Sequence, residues 1–140
     1  MPSQPYPHLK PAEGLLWNAF LNEHAGEYSS FDYDVKVGQG HPTTPEMPAF
    51  VRVMIAKLSP KRIDAVGWQG TQPTIFEVTP RGGRTLIGAC VLYKYLYAET
   101  YPTIAPARCA AVVASVDPDA HRLLASLGVD VYVYRYVLPG

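Results

Sequence analysis

Two segments of strand-forming residues, 61–68 and 73–79, constrain the fold of this chain more than any other feature. Only residues 69–72 separate them, and so short a connection joins antiparallel neighbours in a hairpin. Asp64 lies in the middle of the first segment and Glu77 near the end of the second. The hairpin is therefore expected to bring two carboxylates together, as in a site for a hard cation such as Mg²⁺ or Mn²⁺.

The remaining sequence predicts helices and strands on either side of this hairpin. Apolar residues at helical spacing, together with cap residues, predict helices at about 11–25, 44–58, 84–97 and 118–127. Alternating or continuous apolar residues predict strands at 31–37, 108–115 and 129–137. Residues 51–58 also alternate, so a strand there is the alternative to the second helix.

The order of these elements predicts an α/β fold built on a mixed sheet (α+β). The hairpin and the strand before it form a three-stranded antiparallel meander, and a crossover helix and two further strands complete the sheet. Helices are expected on both faces. We expect one domain over residues 12–140, preceded by an extended, proline-rich arm over residues 1–11 that lies outside the core.

The composition argues against a protein dedicated to nucleic acid. Twelve lysines and arginines are matched by twelve aspartates and glutamates, whereas phosphate contacts usually require a basic excess. No apolar run approaches the ~20 residues of a membrane span, so no membrane partner is expected. Cys90 and Cys109 are expected to be free, buried thiols in a reducing, cytosolic compartment, with a disulfide as the alternative.

The hairpin resembles that of the PD-(D/E)XK nuclease superfamily, with Asp64 in the place of the first acid and Glu77 in that of the second. The resemblance implies a restriction-endonuclease-like core and DNA cleavage with Mg²⁺ or Mn²⁺ bound by these two residues. It also implies a lysine two residues after the second acid, a position that Thr79 occupies here. Basic residues that could replace this lysine are Arg81, Arg84, Lys94 and Lys36.

The chain also resembles small, uncharacterised proteins of tailed bacteriophages in which a similar hairpin ends in Glu-Val-Lys-Pro. Here residues 77–80 read Glu-Val-Thr-Pro and are followed by an Arg-Gly-rich turn at 81–84. This resemblance implies a component of a virion, at the head–tail junction or in the tail. Such a protein would be made in the host cytoplasm and would contact other protein subunits of a large assembly.

Three tyrosines of the last predicted strand, Tyr132, Tyr134 and Tyr136, share one face, and valines occupy the other. The valines are expected to face the core. Tyrosine is enriched at protein interfaces, so the tyrosine face is a candidate surface for a partner. Coverage of this face by a helix is the alternative.

Two functions remain. The first, which we favour, is a non-catalytic structural or adaptor protein without a cofactor, because the lysine is missing and the net charge is zero. In that case the two acids are expected to form ion pairs with Arg62, Arg81 or Arg84. The alternative is a metal-dependent DNA endonuclease or exonuclease in which Asp64 and Glu77 bind Mg²⁺ or Mn²⁺ and another basic residue replaces the lysine.

Overall fold

The computed structural model describes residue 6 and residues 8–38, 44–58, 61–103 and 105–137, apart from the side chains of residues 54–58 and 61. The helices are α1 (Pro11–His24), α2 (Ala49–Leu58), α3 (Arg84–Thr100) and α4 (Pro118–Ser126), and a 3₁₀ turn (Ala25–Glu27) follows the first. The strands are β1 (Ser30–Val37), β2 (Lys61–Gln69), β3 (Gln72–Gly82), β4 (Arg108–Val116) and β5 (Asp130–Val133).

The strands form one mixed sheet in which each strand pairs with its neighbours in the chain, in the order β1-β2-β3-β4-β5. β1, β2 and β3 form an antiparallel meander. β4 and β5 are added in parallel, with α3 and α4 as the crossover helices. The predicted mixed sheet is therefore confirmed. Within the described ranges, no helix is long and apolar enough to cross a membrane.

Two hydrophobic layers enclose this sheet. On one face, α1 packs on a largely aromatic cluster that includes Trp17, Phe20 and Phe76. On the other face, α3 and α4 pack on a mainly aliphatic cluster that includes Ile75 and Leu124. Because successive side chains of a strand point to opposite faces, neighbouring residues of β3 contribute to both layers. Helices on both faces were predicted, and the structure confirms them.

The described part of the N-terminal arm packs on the domain. Leu9 is only 6% exposed and belongs to the aromatic cluster, so the prediction that the arm lies outside the core is wrong at this residue. Its apolar side chain is removed from water beside α1, which stabilises the docked segment. The Glu13 side chain then accepts the Lys10 N–H at 3.0 Å and caps the start of α1. Residues 1–5 and 7 of the predicted arm lie outside the described residues.

Helix α2 resolves the choice between helix and strand at 51–58 in favour of the helix, but it begins at Ala49 rather than at residue 44. Proline restricts the residue before it to extended conformations. Pro48 therefore interrupts the predicted helix on its N-terminal side. The Pro48 carbonyl accepts the N–H groups of Val51 and Arg52 at 3.0 and 3.2 Å, so helical hydrogen bonding starts at this proline.

The last strand is shorter than predicted, because β5 ends at Val133 and not at residue 137. It pairs with residues 110–113 of β4. The Tyr134 N–H still donates to the Val113 carbonyl at 2.8 Å, after which the chain turns. The Tyr134 ring is buried in the aromatic cluster under α1, on the same face as Tyr132, so the alternation of β5 extends to this residue.

Alanine substitutions at two glycines test this packing, because one is expected to lower the free energy of unfolding and the other to raise it. A Cβ at Gly67 would lie 2.8–2.9 Å from ring atoms of Tyr28, Phe31 and Phe76, whereas one at Gly88, inside α3, would meet nothing within 4 Å. We expect Gly67→Ala to lower the free energy of unfolding by about 1–3 kcal/mol. Gly88→Ala is expected to raise it by about 0.5–1 kcal/mol. Urea unfolding of both variants measures this difference, and equal effects would contradict the described packing.

Candidate active site

Asp64 and Glu77 lie at the point where β2 and β3 separate. The recorded pairing of the two strands runs from Gln69 and Gln72 at the turn to Ala65 and Phe76. Beyond these pairs β2 continues alongside β1, and β3 continues alongside β4. The acids are the next residue of each strand. The hairpin therefore places the two acids side by side, as its short turn predicted.

The strands β1 and β2 are irregular where the first acid lies. Asp34 has a φ of 54°, in the left-handed region that aspartate enters more readily than most residues. The pairing between β1 and β2 passes over Asp34 and Asp64. Ile63 and Val66 both belong to the cluster under α3, although strict alternation would place them on opposite faces. The break in alternation therefore lies beside Asp64 and changes the direction of its side chain.

Two hydrogen bonds hold Asp64 in place, one at its side-chain carboxylate and one at its backbone carbonyl. Its Oδ2 accepts the Val78 N–H at 2.9 Å, and the imidazole Nε2 of His8 lies 3.0 Å from its carbonyl oxygen. Burial raises the pKa of the Asp64 carboxyl to about 6. The Val78 N–H opposes this shift by stabilising the charged form, and the nearby Glu13 carboxylate adds to it.

Glu77 is the less satisfied of the two acids. Its Oε1 is buried and has no hydrogen-bond partner among the described residues. Burial first, and then the charge of Asp64, raise the pKa of Glu77 to about 9. Without a cation, the two carboxyl groups therefore share one proton and carry one negative charge at neutral pH.

The pair suits a divalent cation with oxygen ligands. A buried carboxylate oxygen without a partner is costly, and a cation between the acids would offset that cost. Mg²⁺ is commonly bound by one or two carboxylates and keeps several waters. No cluster of three or more aspartate, glutamate, histidine or cysteine side chains suited to a metal occurs within the described ranges. The residues present thus fit a cation bound by two carboxylates and water, and not a closed protein cage.

The position of the missing lysine is filled by a neutral side chain. Thr79 is half-buried and alternates onto the face of β3 that carries Glu77. Arg81 is exposed near the end of the same strand. Lys94 is exposed on α3 and lines a cavity with Cys90. Among the side chains that the structure describes, no lysine or arginine forms an ion pair with either acid.

The expected ion pairs of the two acids are thus not formed. Arg62 instead contacts Asp34 at 2.7 Å on β1. Arg84 is exposed at the start of α3 and lines a cavity with Asp117 and Asp119. Ion pairing with these arginines therefore does not explain why both acids are present.

Three further residues surround the acids and were not predicted from the sequence. Glu13 of α1 raises the pKa of both acids through its charge. His8 lies against Asp64. Burial, and then the charges of both acids, raise the pKa of Tyr93 on α3. For Glu13 the only sequence signal was an acid in the first turn of a helix, and for the other two there was none. Their proximity depends on how α1 and α3 pack on the sheet.

The tyrosine row is mostly covered. Tyr134 is buried, and the Tyr132 ring packs on Phe20 and His24 of α1 with centroid separations of 5.0 and 4.9 Å. Tyr136 is 79% exposed. A continuous tyrosine surface for a partner is therefore not present, because α1 occupies it, and an interface at Tyr136 stays a prediction.

Comparison with known proteins identifies the type of fold. No family model and no curated protein matches the sequence. Among solved structures, a repair endonuclease from Pyrococcus abyssi is similar, with a TM-score of 0.53 and 15% sequence identity over 90% of this chain and 48% of its own. A crystallised protein of unknown function gives a TM-score of 0.48 and 14% identity over 89% of this chain and 59% of its own.

The fold is nuclease-like, with the restriction-endonuclease arrangement that the hairpin implied. At this level of identity the likeness concerns the fold alone. The chain spans about half the length of the endonuclease that it resembles. The chain thus combines a nuclease-like fold with a pair of half-buried carboxylates on β2 and β3.

Proposed function

We propose that this domain is a metal-dependent phosphodiesterase acting on nucleic acid, with Asp64 and Glu77 as the residues that bind the cation. One observation carries the proposal: the buried Glu77 Oε1 has no partner among the described residues although it lies beside a second carboxylate. Such an atom requires either a proton or a cation. The similarity of the fold to a repair endonuclease indicates nucleic acid as the substrate class.

The chain's own residues would hold the site in a defined arrangement. The Val78 N–H fixes the orientation of the Asp64 carboxylate, and a backbone hydrogen bond from Asp64 favours the charged form of Glu77. A divalent cation bound there would supply an activated water and would offset charge on a phosphodiester oxygen. Tyr93 of α3 lies within the electrostatic range of both acids.

Cleavage of plasmid and linear DNA with Mg²⁺ or Mn²⁺ tests the proposal. We expect the unmodified protein to cleave, and Glu77→Ala and Asp64→Asn to lower the rate by about 100-fold or more, because the acids act as a unit. Glu99→Ala is the matched control, since Glu99 is an exposed acid of α3. Activity that survives in Glu77→Ala would exclude the proposed site.

A second candidate function is a non-catalytic structural or adaptor protein, such as a component of a phage virion that contacts other subunits. It is favoured by Thr79 in the place of the lysine and by the absence of a described lysine or arginine beside the acids. It needs no cofactor. The Glu-Val-Thr-Pro segment, which resembles phage proteins, is its support for a virion role.

Thr79→Lys distinguishes the two candidates. If the native protein is folded and does not cleave DNA with either metal, while Thr79→Lys cleaves it, the non-catalytic function stands and the phosphodiesterase proposal fails. If the native protein cleaves DNA and the variant only changes its rate, the phosphodiesterase proposal stands. Isothermal titration with Mn²⁺ on the same preparations shows separately whether the acids bind a cation.

A further inference from the structure

Two thiols from different elements meet beneath α3. Cys90 of α3 and Cys109 of β4 are free, and their side chains lie within hydrogen-bonding reach of one another. The two residues are 2% and 4% exposed and belong to the cluster under α3 and α4. They are separated by nineteen positions in the sequence, so the fold and not the local chain brings them together.

A cavity reaches both thiols. It measures about 440 Å³ and is lined by both cysteines, by apolar side chains that include Val91 and Leu127, and by two basic residues, Lys94 and Arg108. Within the described part of the chain, neither basic residue forms an ion pair. The cavity therefore combines a pair of thiols with uncompensated positive charge, which suits a small anionic reagent.

The surroundings of the two thiols differ. Lys94 lies one helical turn after Cys90, on the same side of α3. The hydrogen bond between the thiols favours the charged form of Cys90 and lowers its pKa, whereas the same hydrogen bond and burial raise the pKa of Cys109. An attacking thiolate needs a positive charge or a hydrogen-bond donor beside it. Cys90 has both.

We propose that Cys90 and Cys109 form a redox-active thiol pair that a small, negatively charged disulfide, such as oxidised glutathione, converts to a disulfide linking α3 to β4. The Cys90 sulfur attacks one sulfur of the reagent, forming a mixed disulfide and releasing one thiolate. The Cys109 sulfur then attacks Cys90, forming the internal disulfide and releasing the second thiolate. The protein loses two electrons and two protons, and the reagent becomes two thiols. This inference does not depend on the proposed phosphodiesterase function.

Intact-mass spectrometry of the full chain tests the proposal. The reduced protein is incubated with oxidised glutathione under nitrogen and then quenched with iodoacetamide. We expect the native protein to lose two hydrogen atoms and to retain no glutathione, with peptide mapping showing the bond between Cys90 and Cys109. Cys109→Ser is expected to retain one glutathione on Cys90. Cys90→Ser is expected to react about tenfold more slowly than Cys109→Ser, because burial and the nearby Glu77 carboxylate both disfavour the thiolate of the remaining Cys109.

A neutral reagent isolates the part played by charge. Bis(2-hydroxyethyl) disulfide is expected to oxidise the native protein about tenfold more slowly than oxidised glutathione does, and Lys94→Gln is expected to reduce that preference. Circular dichroism verifies that each variant is folded, and the native protein alone suffices for the mass and mapping result. Stable glutathione adducts on the native protein, or no reaction while the denatured chain reacts fully, would overturn the proposal.

Discussion

The protein without bound metal is expected to become less stable as the pH rises from about 5 to about 9. Burial and the neighbouring charge raise the pKa of Glu77 from 4.5 to about 9, and burial raises that of Asp64 from 3.8 to about 6. Over this range the unfolded chain releases protons that the folded chain retains, so a rise in pH favours unfolding. The protein is most stable below the pKa values that the two acids have in the unfolded chain. As the pH rises through the pKa values of the folded chain, the free energy of unfolding falls by several kcal/mol.

Urea unfolding at a series of pH values, in the presence of a chelator, measures this slope. Glu77→Gln keeps the shape of the side chain and removes the titrating group. The free energy of unfolding of this variant is therefore expected to depend less on pH above pH 6, and the variant is expected to be more stable than the native protein at pH 9. Glu99→Gln is the matched control, because Glu99 is an exposed acid of α3. An unaltered slope in Glu77→Gln would mean that Glu77 is not the group that titrates.

A cation is expected to reverse this dependence. Mn²⁺ binds the ionised carboxylates and displaces the Glu77 proton, so its affinity is expected to increase with pH. Added Mn²⁺ is therefore expected to stabilise the native protein most at high pH, and Glu77→Gln much less. This comparison depends on cation binding alone and does not require the protein to cleave DNA.

Trp17→Ala is expected to lower the free energy of unfolding by about 3–5 kcal/mol. The Trp17 side chain is fully buried, lies against Phe20 and Phe76 with ring centroids 5.1 and 5.2 Å away, and donates its indole N–H to the Tyr33 hydroxyl at 3.0 Å. It therefore joins α1 to the three-stranded meander. Removal of the ring leaves a cavity that the neighbouring aromatic side chains cannot fill.

Leu15→Ala is the matched control, because Leu15 is on the same helix and is 49% exposed. Its expected effect is within about 0.5 kcal/mol. Urea unfolding followed by circular dichroism measures both variants. A small effect of Trp17→Ala would mean that α1 does not hold the sheet as described, and the positions of Glu13 and His8 beside the acids would then be in doubt.

The sequence was sufficient to predict the hairpin and the proximity of Asp64 to Glu77. Both segments are rich in strand-forming residues, and a four-residue connection leaves few registers, so local chain geometry alone places the acids on neighbouring strands. Helical spacing likewise located α1 and α3. These features depend on residues close together in the chain.

The surroundings of the acids could not be predicted in the same way. The hydrogen bond from Val78 to Asp64 exists because the strands separate there, and the irregular backbone at Asp34 has no sequence pattern. Glu13 approaches the acids only because α1 packs across the sheet. The predicted strand was too long at its end because the alternation of tyrosines continues to Tyr136, although the backbone turns after Tyr134.

The order of the strands also bears on the biosynthesis of the protein. Each strand pairs with its neighbours in the chain, so every strand after β1 finds one of its pairing partners already synthesised. β1, β2 and β3, with both acids, are complete before β4 is synthesised. The two carboxylates can therefore be brought together on the nascent chain before the parallel strands β4 and β5 are synthesised.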